Sequence, residues 1–158
     1  MSEKIPITAE GLARLEEELR HLKNTARPEA TRAVAQARGH GDFSADADYL
    51  TALDRQSFIE GRVRELEDKI ARAEVIDVSK LSGKTVKFGA KVTLIDEDTE
   101  AKLIFQIVGQ DEADVKRGRL AITSPLARAL IGKKTGDIVE VNTPKGGKAY
   151  EIRRVRFS

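Results

Sequence analysis

Gly39-His40-Gly41-Asp42-Phe43-Ser44-Ala45-Asp46-Ala47-Asp48-Tyr49 is the stretch whose reading decides the fold. It is a short polar turn with three aspartates, and long helical patterns flank it on both sides. Before it, Leu12, Leu15, Leu19 and Leu22 recur at spacings of three, four and three, which is a heptad seam. Thr8 precedes this run as an N-cap, with Glu10 in the first turn where an acid is favoured. The seam continues in small residues, Ala26, Ala30, Ala33 and Ala37. Pro28 lies within it; it lacks an N–H and crowds the preceding turn, which predicts a kink or short break near Asn24–Arg27. After the turn, Leu53, Ile59, Val63, Leu66, Ile70 and Ala73 form a second stripe, with Glu60–Arg64 and Glu65–Lys69 as acid-first i,i+4 pairs. Two helices of roughly 30 residues joined by a short turn predict an antiparallel hairpin about 45 Å long. Alanines near the turn predict a core that narrows toward the tip.

Composition bounds what such a chain can do. Its 158 residues are 40% apolar, enough for one or two small cores. Aromatics make up only 4% and Trp is absent, which argues against an aromatic ligand pocket or a base-stacking surface. The absence of Cys excludes disulfides, thiol nucleophiles and cysteine-ligated zinc. Met1–Pro6 has no apolar signal run and no stretch is long enough to span a bilayer, so a cytoplasmic protein without membrane contact is expected. The net charge of +2 is unevenly spread, the helical half being mildly acidic and the second half basic. The helical half is thereby a poor partner for duplex DNA phosphates, whereas the basic half suits nucleic acid, an acidic protein or plain solvation.

Beyond Ser82-Gly83-Lys84 the period changes. Val86–Phe88, Lys91–Ile95 and Lys102–Val108 read as strands, with Asp96-Glu97-Asp98 as a turn. Ser124-Pro125 opens a short helix with Ser as N-cap and Pro at its first position; Leu126, Leu130 and Ile131 are its apolar face and Gly132 its end. Ile138–Val141 and Ala149–Val155 follow as strands around Pro144-Lys145-Gly146-Gly147. The expected class is α+β, an antiparallel helical coiled-coil hairpin in residues 1–76 followed by a β-sheet domain with one short helix in residues 77–158.

The tip admits two readings. Asp caps helices, so Asp42, Asp46 and Asp48 fit a turn and a helix start near Ser44. The alternative is hard-cation binding, since exposed carboxylates supply one or two of the few oxygens that Mg²⁺ takes from a protein. No cage surrounds them, so a partner with its own metal and substrate would have to complete the site, as in two-metal phosphoryl transfer. The sequence has two His, no Gly-rich phosphate loop and no nucleophile signature. It gives no sign of a small-molecule substrate.

These residues resemble the GreA/GreB family of bacterial transcript cleavage factors, on the GreA side, over essentially the whole chain. His40-Gly41-Asp42, Ala47-Asp48-Tyr49 and Phe58-Ile59-Glu60-Gly61-Arg62 carry the likeness in the first half, with Glu74-Val75-Ile76-Asp77-Val78 at the boundary. Ile107–Asp114, Ser124–Gly132 and Thr143-Pro144 carry it in the second. The resemblance implies a coiled coil followed by an FKBP-like domain that binds RNA polymerase. It implies that the coiled coil enters the secondary channel, and that the tip acids share the second Mg²⁺ of the polymerase. The polymerase then cleaves the 3′ end of backtracked nascent RNA, and the factor is not itself an enzyme.

The tip departs from the family pattern. Asp42 matches, but Ala45 stands where the family has Glu and Asp46 where it has Asn, so one of the two acids credited with cleavage is missing. Asp46 follows Asp42 by four residues rather than three, with a shorter reach, and a misplacement of about 1 Å costs on the order of 100-fold in catalysis. Three readings stay open: Asp46 substitutes, so that Asp42 and Asp46 are the catalytic and Mg²⁺-sharing pair; the chain is a cleavage-deficient regulator occupying the channel; or the tip was altered by design. Arg38 and Arg55 flank the tip as candidate RNA contacts or as solvated surface, and Leu53 stands where GreA-like chains often have a basic residue. The FKBP-like half also raises a prolyl isomerase, which its few aromatics (Tyr150, Phe88, Phe105 and Phe157) oppose, and the hairpin raises a purely structural adaptor.

Overall fold

The computed structural model describes residues 3–39 and 47–157. They form two compact units. Leu12–Ala73 belongs to a helical unit, and Lys4–Gly11 together with the chain from Glu74 onward belongs to a sheet unit. The N-terminal segment that the sequence assigns to the first domain is therefore part of the second. The reason is a short strand, β1 (Ile5–Ile7), that pairs with β2 (Ala73–Val75), and the Ile76 N–H donates to the Ile7 carbonyl at 2.9 Å.

In the helical unit, α1 (Ala9–His21) runs without interruption of helical backbone into a π-helical turn, Leu22–Ala26, and then α2 (Arg27–Arg38). The expected kink appears as this turn. Pro28 sits in the first turn of α2 and offers no N–H to the carbonyls behind it; the Arg27 N–H reaches back five residues to the Leu22 carbonyl. Helical dihedrals persist at Ala26 and Arg27, so the chain widens one turn without breaking. The returning helix α3 (Ala47–Arg72) packs antiparallel against this arm. Its seam packs Ile59 and Val63 with Ala26 and Ala30, flanked by Leu19 and Leu22, and Ala52 and Leu66 of α3 and Val34 and Ala37 of α2 are also buried. Val34 and Ala52 replace the expected Ala33 and Leu53, which are only half-buried. Steps of four, four and three from Ala26 keep one face toward the partner, and that geometry overrides residue type. The small side chains crowd toward the tip and Val63 and Leu66 lie deeper, as the tapering pattern predicts.

The sheet unit is a five-stranded sheet in the order β5-β4-β3-β7-β6. Its strands are β3 (Lys91–Asp96), β4 (Lys102–Val108), β5 (Arg119–Ala121), β6 (Ile138–Thr143) and β7 (Gly146–Arg156). Neighbours are antiparallel except β4 and β5. On one face α4 (Pro125–Leu130) closes a core of Val92, Leu94, Ile107, Leu130 and Ile152. Ser124 caps α4 by accepting the Ala127 N–H at 3.2 Å, as its Ser-Pro start predicts. The expected strand Val86–Phe88 is absent. Val86 is fully buried, and its N–H and carbonyl bond the loop after α4 at Lys133 and Gly132, so its apolar pattern reports burial rather than a ladder. β5 was not foreseen, since three residues are too few to show a period. Asp96 ends β3 and its carboxylate accepts the N–H groups of Asp98 and Thr99 at 2.8 and 3.2 Å, while the Lys148 ammonium lies 3.1 Å away. These bonds hold the Asp96 carboxyl below its ordinary value.

Candidate functional site

α2 ends at Arg38 and α3 resumes at Ala47, so the two arms approach the tip from opposite directions. The Arg38 guanidinium lies 5.9 Å from the centre of the Tyr49 ring, a cation–π contact that ties the arms together beside the polar segment. Asp48 sits in the first turn of α3, where the helix dipole favours an anion. Asp42 and Asp46 lie outside the described residues, as do Ser44, Ala45 and the expected helix start at Ser44. Arg38 is thus adjacent to the candidate acids in sequence. Arg55 is placed two turns along α3 from Ala47, with Glu29 of the opposite arm 3.7 Å away, so a carboxylate already faces it.

Charged pairs across the hairpin fix how the arms align. Arg27 donates to both oxygens of Glu60 at 2.8 Å each, and Arg62 donates to both oxygens of Glu18 at 2.6 and 2.9 Å. Such two-point pairs specify direction as well as distance. The Arg62 hydrogen bond holds Glu18 below the ordinary carboxyl range, and Arg27 does the same for Glu60. Glu65 takes Lys69 at 3.0 Å, the i,i+4 pair read from sequence, and is lowered by that hydrogen bond. Glu60 instead turns across the hairpin to Arg27, a partner distant in sequence that helical spacing does not reveal.

Among the described residues no three His, Asp or Glu side chains converge to hold a metal ion. Carboxylate oxygens are the donors Mg²⁺ takes, so Asp42 and Asp46 fit the ion chemically but make an incomplete set. No helix of the described residues is long and apolar enough to cross a membrane.

The sheet unit contains a cleft of about 430 Å³ lined by residues that include Thr8, Asp77, Gln106, Glu112 and Arg119, with no aromatic among those described. Its polar groups serve the fold. Glu112, nearly buried, accepts the Thr8 N–H at 2.9 Å, the Thr8 hydroxyl, and the Gly109 N–H at 3.3 Å. Thr8 in turn caps α1 by accepting the Gly11 N–H at 3.0 Å. Asp77 accepts the Ser79 N–H and hydroxyl at 3.1 and 2.6 Å, which lowers its carboxyl. Glu112 was missed in the sequence because its partner lies 104 residues away.

Two family models match in succession. One described as "Transcription elongation factor, N-terminal" covers residues 5–75, and "Transcription elongation factor, GreA/GreB, C-term" covers residues 81–157. The chain belongs to the GreA/GreB family of transcription elongation factors. A protein named transcription elongation factor GreA from Phenylobacterium zucineum is 62% identical over 155 residues, covering 98% of this chain and 99% of its own. Its namesake from Rhodopseudomonas palustris strain TIE-1 is 61% identical over 157 residues, covering 99% of each. Among solved structures, GreA factor homolog 1 (Gfh1) of Thermus thermophilus is 27% identical, covers 98% of this chain and 99% of its own, and has a TM-score of 0.45. The family's two-part organisation agrees with the helical hairpin and the sheet unit of this chain.

Proposed function

We propose that this transcription elongation factor binds RNA polymerase through its sheet unit and presents the hairpin tip in the secondary channel. There it promotes cleavage of the 3′ end of backtracked RNA, and arrested complexes resume. The single observation that carries this reading is the match of both family models in order along nearly the whole chain. The hairpin supports it, since a paired-helix arm held in register by Arg27–Glu60 and Arg62–Glu18 suits delivery of a tip better than enclosure of a substrate. In this role Asp42 and Asp46 act as oxygen ligands to an Mg²⁺ that the polymerase holds, an ion that lowers the pKa of a bound water and polarises a phosphoryl oxygen. Arg38, braced on Tyr49 beside the tip, is the better RNA-contact candidate. Arg55 faces Glu29 and is a structural residue in this reading. The chain performs no chemistry alone.

A second reading is a channel occupant that does not promote efficient cleavage. The sequence observation favouring it is Ala45, which removes the acid the family pattern places three residues after Asp42. A transcript-cleavage assay on stalled polymerase separates the two, run with the unmodified chain beside Asp46→Ala. The cleavage reading predicts 3′ shortening with the unmodified chain and its loss with Asp46→Ala. If neither protein shortens the RNA while both bind the polymerase, the channel-occupant reading holds.

A further inference from the structure

The face of the five-stranded sheet opposite α4 is a second charged feature of this chain, separate from the hairpin tip. Side chains alternate along a strand, and β3 buries Val92, Leu94 and Asp96 while turning Lys91, Thr93 and Ile95 outward. Lys102 and Ile104 of β4 stand beside Ile95 and Thr93, and Arg154 and Arg156 of β7 stand beside Thr93 and Lys91. Together they line a groove of about 410 Å³ in which five side chains, Lys91, Lys102, Arg153, Arg154 and Arg156, are cationic and none of the described lining residues is acidic. Arg153 is turned to Glu151 at 3.1 Å. The other four have no carboxylate within ion-pair distance among the described residues, a costly concentration of like charge for a surface with no anionic partner.

We propose that this groove binds the phosphate backbone of duplex DNA without reading its sequence. The cations form a spaced row. Arg154 and Arg156 are two residues apart on one strand, roughly 7 Å, which spans about two base-pair rises along a duplex axis. Lys102, beside Ile95, lies four residues along β3 from Lys91, roughly 13 Å further. A rigid polyanion with regular charge spacing satisfies such a row. A single strand is held largely by stacking on aromatic rings, and this groove has none. An acidic peptide held on this face would need an apolar anchor pocket, and the groove offers only the half-exposed Ile104 and its neighbour Ile95. Guanidinium forks on β7 suit phosphate oxygens.

The test is binding of the full chain to a fluorescent duplex of about 30 base pairs over salt from about 50 to 300 mM. Four free cations predict that log affinity falls against log salt with a slope of about −3.6. Arg154→Ala with Arg156→Ala should weaken binding and make the slope shallower by about 1.8, whereas Arg154→Lys with Arg156→Lys should keep the slope. Lys133→Ala with Lys145→Ala removes the same charge elsewhere and should leave the slope unchanged. Circular dichroism establishes that each variant is folded. Unchanged affinity and slope in the alanine pair overturn the proposal. So does equal or tighter binding, lost in that same pair, of single-stranded RNA or of a polyglutamate of matched charge. None of these readouts involves polymerase or RNA cleavage, so the groove and the proposed cleavage role fail or stand separately.

Discussion

Gly11 has no room for a side chain. A Cβ there would lie 2.3 Å from the Glu112 side-chain carboxyl carbon, at the point where that carboxylate takes two bonds from Thr8. Gly11→Ala should therefore push Glu112 out of place and lower the melting temperature; a melting temperature equal to that of the unmodified chain would show that the contact relaxes freely. The acids along the hairpin make a second residue-scale prediction, in pH. Glu18, Glu60 and Glu65 all have carboxyls lowered by cationic partners. Between their lowered folded values and the ordinary glutamate value of about 4.3, the unfolded chain binds more protons than the folded one. Their stabilisation is thus present above that ordinary value and fades as pH falls through the folded ones. Thermal unfolding of Glu18→Gln with Glu60→Gln should lose part of the acid-side decline seen in the unmodified chain, and an identical acid-side curve would contradict the pairing. The sequence makes Lys69 legible as a partner of Glu65 because both lie on one helix face. It leaves Glu18–Arg62 and Thr8–Glu112 hidden, since those pairs are made only after distant segments meet.

The hairpin seam sets the predictions at the scale of elements. Leu66 is fully buried, so Leu66→Ala should cost about 2–5 kcal/mol in urea unfolding through lost burial and the cavity left behind. Ala30, almost fully buried where the arms come close, is a case for overpacking, and Ala30→Leu should cost about 1–3 kcal/mol. Stabilisation by Ala30→Leu would mean the upper seam is looser than its burial indicates. Helical spacing showed both arms, the position of the Pro28 irregularity and the capped helix α4, because each rests on local chemistry. It did not show the π-helical form of that irregularity, which depends on where the displaced carbonyls find donors. Nor did it separate the buried loop at Val86 from a strand, or find β1 and β5, whose few residues are held by pairing with remote chain.

At the scale of the whole molecule, the α+β class and both family halves were readable from sequence, the second through motifs such as Ser124–Gly132 as much as through strand pattern. The tip was legible as a site by its carboxylates but not by its geometry, because Ala45 removes one family acid and Asp46 adds another a residue later. The central proposal is that the tip acids act in the active centre of the polymerase. The most direct measurement is the rate of 3′ RNA shortening in a stalled polymerase complex with the unmodified chain and with Asp42→Asn, each at saturating concentration fixed by its measured affinity for the polymerase. The account predicts that Asp42→Asn binds the polymerase as the unmodified chain does and abolishes the acceleration of cleavage. Acceleration by the unmodified chain that persists undiminished in Asp42→Asn would contradict it.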